Sequence, residues 1–114
     1  MNYTEAQVIA IVNEARTEAK KVATKFYQEK LGGQDQFACG FAWVEIYGIR
    51  ANSKIGKALI TAGVRRDPYT KTFKIWNPSD LQCQNIDTKE AGAYAAAKVL
   101  ESYGFRAYAD SRLD

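Results

Sequence analysis

Six residues combine ring faces with positive charge at strand spacing. Trp43, Glu45 and Tyr47 alternate with Ala42, Val44 and Ile46; Lys74 and Trp76 alternate with Phe73 and Ile75; Arg106 and Tyr108 alternate with Phe105, Ala107 and Ala109. A period of two is the signature of a β-strand, so each segment has one apolar face and one face of rings and charge. If the three strands share a sheet, Trp43, Tyr47, Trp76 and Tyr108 can stack on bases while Lys74 and Arg106 meet phosphate. That is the chemistry of a site for a nucleotide or single-stranded nucleic acid. The same rings would also suit a core or a dimer interface, because a long helix elsewhere in the chain has an apolar stripe to lay across them.

A second group has the chemistry of phosphate. In Asn52-Ser53-Lys54-Ile55-Gly56-Lys57 Asn52 or Ser53 can cap a helix whose first turn carries Lys54 and Lys57, where acidic residues are usual. An anion bound there would explain the inversion, and a solvated basic turn is the plainer alternative. Arg65 and Arg66 flank a turn that can grip a phosphate backbone, and Arg112 near the end can hold a carboxylate or phosphate bidentately. Salt bridges and turn chemistry account for the same residues without a ligand.

Composition removes other chemistries. The 114 residues contain no histidine and two isolated cysteines, Cys39 and Cys83. The commonest general base and zinc ligand are therefore missing, and two cysteines alone do not build a structural zinc site. No Walker loop or dinucleotide fingerprint is present, so neither cofactor nor metal is expected. An enzyme would need Glu45, Asp110 or a lysine as its catalyst, and a non-enzymatic binding protein is the simpler expectation. A net charge of +3 is mild and does not repel phosphate. No apolar run approaches a membrane span and no secretory signal is visible, which predicts a cytoplasmic protein without a membrane partner. Cys39, within an apolar segment, is expected to be a small buried thiol.

The elements that must position these residues are legible in outline. Thr4 and Gln7 form a capping box, and Val8, Val12, Ala15, Ala19, Val22 and Phe26 continue as an amphipathic stripe to Leu31-Gly32-Gly33. The helix over 5–31 would be roughly 39 Å long at 1.5 Å per residue. It either spans the body or projects to meet a second copy, and a homodimer is expected. A strand from about Phe37 to Tyr47 follows, then a short helix ending near Gly63. A hairpin turns at Asp67-Pro68-Tyr69-Thr70, and residues 80–86 form a loop. Asp87 with Glu90 caps a third helix to Tyr103, and a last strand runs from Phe105 to Ala109 before a polar tail. After the first helix the order is βαββαβ. The predicted fold is α+β, a single domain with a ferredoxin-like unit and a four-stranded antiparallel sheet over 36–114.

Phe41-Ala42-Trp43-Val44, Trp76-Asn77-Pro78-Ser79, Lys89-Glu90-Ala91-Gly92-Ala93 and Asp110-Ser111-Arg112-Leu113-Asp114 resemble a group of small uncharacterised proteins encoded by tailed bacteriophages. The likeness spans roughly residues 37–114. It implies a phage accessory protein in the host bacterial cytosol, with a host protein, nucleic acid or nucleotide as partner. It carries no functional residue.

Overall fold

Thr4 and Gln7 start the first helix. The Thr4 hydroxyl accepts from the Gln7 N–H at 3.1 Å, and the Gln7 side chain accepts from the Thr4 N–H at 2.8 Å. Two donors that a bare helix end leaves unmatched are thereby satisfied. This helix, α1, runs Glu5–Leu31 and closes on Gly32 in the left-handed conformation. In the computed structural model, which describes residues 1–35 and 38–114, it is followed by β1 (Gly40–Tyr47), α2 (Lys54–Thr61), β2 (Arg65–Asp67), β3 (Thr72–Trp76), α3 (Ile86–Ser102) and β4 (Arg106–Leu113). Phe37, the expected start of the first strand, lies outside the described residues.

The strands form one antiparallel sheet in the order β2-β3-β1-β4, which makes β1 and β3 central neighbours. Ala42, Val44, Ile46, Phe73 and Ile75 are buried on one face, beneath α2 and α3. Burial of a side chain such as Phe73 or Ile46 stabilises by about 1.5–3 kcal/mol. Val8, Val12, Ala15 and Ala19 of α1 belong to the same core, and α1 packs mainly on α3 and also on α2. Its 27 residues give roughly 40 Å, close to the 43 Å longest dimension of the molecule. The helix spans the body and does not project from it. Arg16 fastens it to α2, donating to the Ala62 carbonyl at 2.8 Å, where carbonyls at a helix end need donors.

Gly92 makes the α1–α3 contact possible. A Cβ on it would lie 2.9 Å from the Ser79 Cβ and 3.3 Å from the Ala19 carbonyl oxygen.

Several local expectations are corrected. The buried line on α1 leaves Val22 and Phe26 half-buried and passes through Ile11 and Ala23, because a 3.6-residue period drifts away from a near-heptad stripe. Helix α3 is capped by Asn85, whose side chain accepts from the Thr88 N–H at 2.8 Å, and not by Asp87. Asp35 pins that cap, accepting from the Gln84 and Asn85 N–H groups at 2.7 and 2.9 Å. Strand β4 continues through Leu113 and pairs with all of β1, so the polar tail is an edge strand. Cys39 is exposed while Cys83 is buried, and both are free thiols; burial pushes the Cys83 thiol up from its ordinary value. Cys39 bridges to Asn85 ahead of β1, outside the part of the chain that the core covers. No helix among the described residues is long and apolar enough to cross a membrane.

Candidate functional site

The sheet face opposite the core carries the rings. Register places Trp43 across from Trp76 and Asp110, Glu45 across from Lys74 and Tyr108, and Tyr47 across from Arg106. Directly opposed residues of a sheet share a face. Five of the six candidate residues are therefore brought together around Trp43, which itself is only 8% exposed. Trp76 and Tyr108 are 39% and 57% exposed. In this chain α1 lies with α2 and α3 on the core side, so it does not cover the rings. The expectation that it might lay Val8, Val12, Val22 and Phe26 across them is not met within one chain, since Val8 and Val12 are already consumed by the core.

The rings form two pairs. Trp43 and Trp76 have centroids 4.7 Å apart, and Tyr47 meets Tyr108 edge-on at 5.7 Å. Between the pairs lies Glu45, a buried carboxylate that is well satisfied. It accepts from the Trp43 Nε1–H at 3.1 Å and from the Thr72 hydroxyl at 3.0 Å, which is how a charge can sit in a packed ring layer. Trp43 thus has a fixed orientation and little free surface, and it supports Trp76. Burial and the nearby Glu45 and Asp110 carboxylates hold the Tyr47 phenol above its ordinary value.

Lys74 stands over both tryptophan rings at 5.6 and 5.8 Å, within cation–π range. Its ammonium also donates to Asp67 at 2.9 Å. That hydrogen bond raises Lys74 and, with the Tyr69 and Thr70 N–H groups, lowers Asp67 to about 2. Lys74 therefore organises rings and hairpin together, and its charge is already matched. Among the described residues, the cations of this face without an ion pair stand on the edge strands. Arg65 lies on β2 across from Lys74. Arg106 lies over Tyr47 at 5.9 Å and Arg112 over Phe41 at 5.5 Å, both on β4. The face has rings on its central strands and, with Tyr108, on β4, and guanidiniums on its edge strands, with Asp110 as an exposed acid among them.

The phosphate candidates do not form one cluster. Arg65 and Arg66 are adjacent in a strand and fall on opposite faces. Arg66 packs over Phe73 at 4.8 Å and donates to the Ile49 carbonyl at 2.8 Å, so it holds a loop in place. The Ser53 hydroxyl accepts from the Gly56 N–H at 3.0 Å and donates to the Arg50 carbonyl at 2.6 Å. Gly56 is needed because a Cβ there would lie 2.0 Å from the Arg50 oxygen. The close approach at Gly56 is therefore to a carbonyl of the same chain. Lys54 and Lys57 are exposed on α2, and neither stands over a ring among the described residues.

Compared with protein-family models, with curated proteins and with solved structures, the chain matches none. The site is therefore argued from its own residues. Phe41, Asp110, Asp67 and Thr72 also belong to it. Phe41 and Asp110 were within reach of the sequence, because each continues a period of two from Trp43 and Tyr108. The partnership of Asp67 with Lys74 was not, since it crosses a hairpin whose register the turn residues alone leave open. Among the described residues no cluster of three or more metal-ligating side chains occurs.

Proposed function

We propose that this protein is a non-enzymatic binding module that takes a single-stranded nucleic acid or a nucleotide on its ring-bearing sheet face. The observation that carries the reading is exposed Trp76 and Tyr47 on the central strands, continued by Tyr108 on β4, with Arg65, Arg106 and Arg112 on the edge strands. Base stacking on aromatic platforms supplies about 1–3 kcal/mol per base, and edge cations follow a phosphate backbone. Strand order and antiparallel pairing support a ferredoxin-like reading of the body, with α1 added to its helix layer. The resemblance to phage-encoded proteins supports a setting in the host cytosol.

Tryptophan fluorescence tests the proposal directly. Titration with short single-stranded oligonucleotides at low salt is expected to quench emission, with affinity falling as salt rises. Trp76→Ala is expected to weaken binding roughly tenfold, the scale of one lost stacking contact. Absence of quenching by every oligonucleotide and nucleotide at low salt would overturn the reading.

A homodimer is the second reading, and one observation favours it. Half-buried Val22 and Phe26 line an open groove with Ala91 and exposed Tyr94. Two copies joined there would keep the ring face free for a nucleic acid or a host protein.

A further inference from the structure

Where β1 ends, the ring face runs into a cleft of about 440 Å³ lined by Tyr47, Arg50, Ser53, Ile55, Phe105 and Arg106, with Gly48 and Gly104 among its other walls. No carboxylate lines it. The ion pair described in the chain is Lys74 with Asp67, so neither Arg50 nor Arg106 is matched by an acid among the described residues. Arg50 and Arg106 both line this one concavity, and an anion there would offset the repulsion of two like charges.

Arg50 is held there by its backbone. Its carbonyl accepts from the Ser53 N–H at 3.2 Å and from the Ser53 hydroxyl at 2.6 Å, and the Ile49 carbonyl beside it accepts from Arg66 at 2.8 Å. The loop is thus tied on both sides of the arginine before any ligand arrives. Such preorganisation lowers the ordering cost of binding. Arg106 reaches the same cleft from β4 while lying over the Tyr47 ring.

We infer that this cleft binds a phosphomonoester, borne by the end of a nucleic-acid strand or by a mononucleotide, with Arg50 and Arg106 on the phosphate and the attached base against Tyr47. A monoester carries about −1.5 to −2 at neutral pH, which two guanidiniums match. A backbone diester has a single negative charge and would leave one guanidinium unpaired. Ile55 and Phe105 supply an apolar wall for the sugar. The inference rests on the sheet face binding a nucleic acid, and it assigns the end of the strand to one end of that face.

The test compares one oligonucleotide in three forms, unphosphorylated, 5′-phosphorylated and 3′-phosphorylated, with a nucleoside monophosphate and inorganic phosphate as further probes. Binding is read by tryptophan quenching and by displacement of a fluorescent oligonucleotide. At least one phosphorylated form is expected to bind about tenfold more tightly than the unphosphorylated one, the scale of a charge-assisted hydrogen-bond pair. Which form gains identifies the strand end, and a gain with the monophosphate alone identifies a free nucleotide. Arg50→Gln is expected to remove that gain, and Arg50→Lys to restore part of it. Equal affinity for all three oligonucleotides, with no Arg50-dependent binding of the monophosphate, overturns the cleft assignment and leaves the face reading standing. A monophosphate that binds in an Arg50-dependent manner, when no oligonucleotide binds, supports the cleft and removes nucleic acid from the face reading. No binding by any probe overturns both.

Discussion

Lys74 shows how a single side chain can be misjudged when its neighbours are unknown. It alternates correctly onto the ring face, yet Asp67 takes its ammonium at 2.9 Å. The consequence is measurable as a function of pH. The Asp67 carboxyl is lowered from 3.8 to about 2, chiefly by the hydrogen bond from Lys74. A carboxyl depressed in the folded state stabilises fully above its unfolded value, and that contribution is lost as pH falls through the folded value. The wild type is therefore expected to melt above Asp67→Asn by a constant margin from pH 5 to 8, and the margin is expected to close between about pH 4 and pH 2. Asparagine keeps the acceptor that receives the Tyr69 N–H and removes the one that receives Lys74, so the comparison isolates the hydrogen-bonded ion pair. Thermal unfolding followed by circular dichroism checks it, and a margin still undiminished at the acid end would show that the ion pair contributes nothing.

The elements owe their positions to a few close approaches. Helix α3 meets α1 where Gly92 faces the Ala19 carbonyl, and it meets the sheet through Ala93, Ala96 and Leu100. Gly92→Ala would gain up to about 1 kcal/mol of helix propensity. It would also place a methyl group 2.9 Å from the Ser79 Cβ, which forces the elements apart at a cost of about 1–3 kcal/mol. A net loss of up to about 2 kcal/mol is expected in urea unfolding, and increased stability would mean that Ser79 and α1 yield freely at this contact. The short α2 is held in a different way, by Ser53 at its start and by Arg16 of α1 at its end. Arg16 lies off the apolar stripe of its helix, and a donor aimed at another helix's carbonyls has no periodic signature.

At the scale of the molecule, α1 belongs to the core and runs along the helix layer, leaving the ring face to solvent. An apolar groove on the helix layer holds Val22, Phe26 and Tyr94. If two copies pair through it, light scattering is expected to give twice 12.7 kDa, with Phe26→Glu returning the chain to a monomer. A wild-type monomer at every concentration tested would remove the dimer. Much of this architecture was legible from local rules. The Thr4–Gln7 box, the Gly32 stop and the alternation in β1 and β3 are local preferences that operate within a few residues, and they predicted the long helix and the two-faced strands. The cap of α3 and the reach of β4 were missed because Asn85 and the polar tail depend on distant partners, Asp35 and all of β1. The sequence by itself determined which residues are rings and cations and that they share a phase. Only the tertiary structure decided which of those charges are already spent, since Lys74 pairs with Asp67 and Arg66 with a carbonyl, while Arg50 and Arg106 meet in one cleft. The physical reason is that alternation fixes the face a side chain points to, whereas strand register and loop closure fix what it meets there.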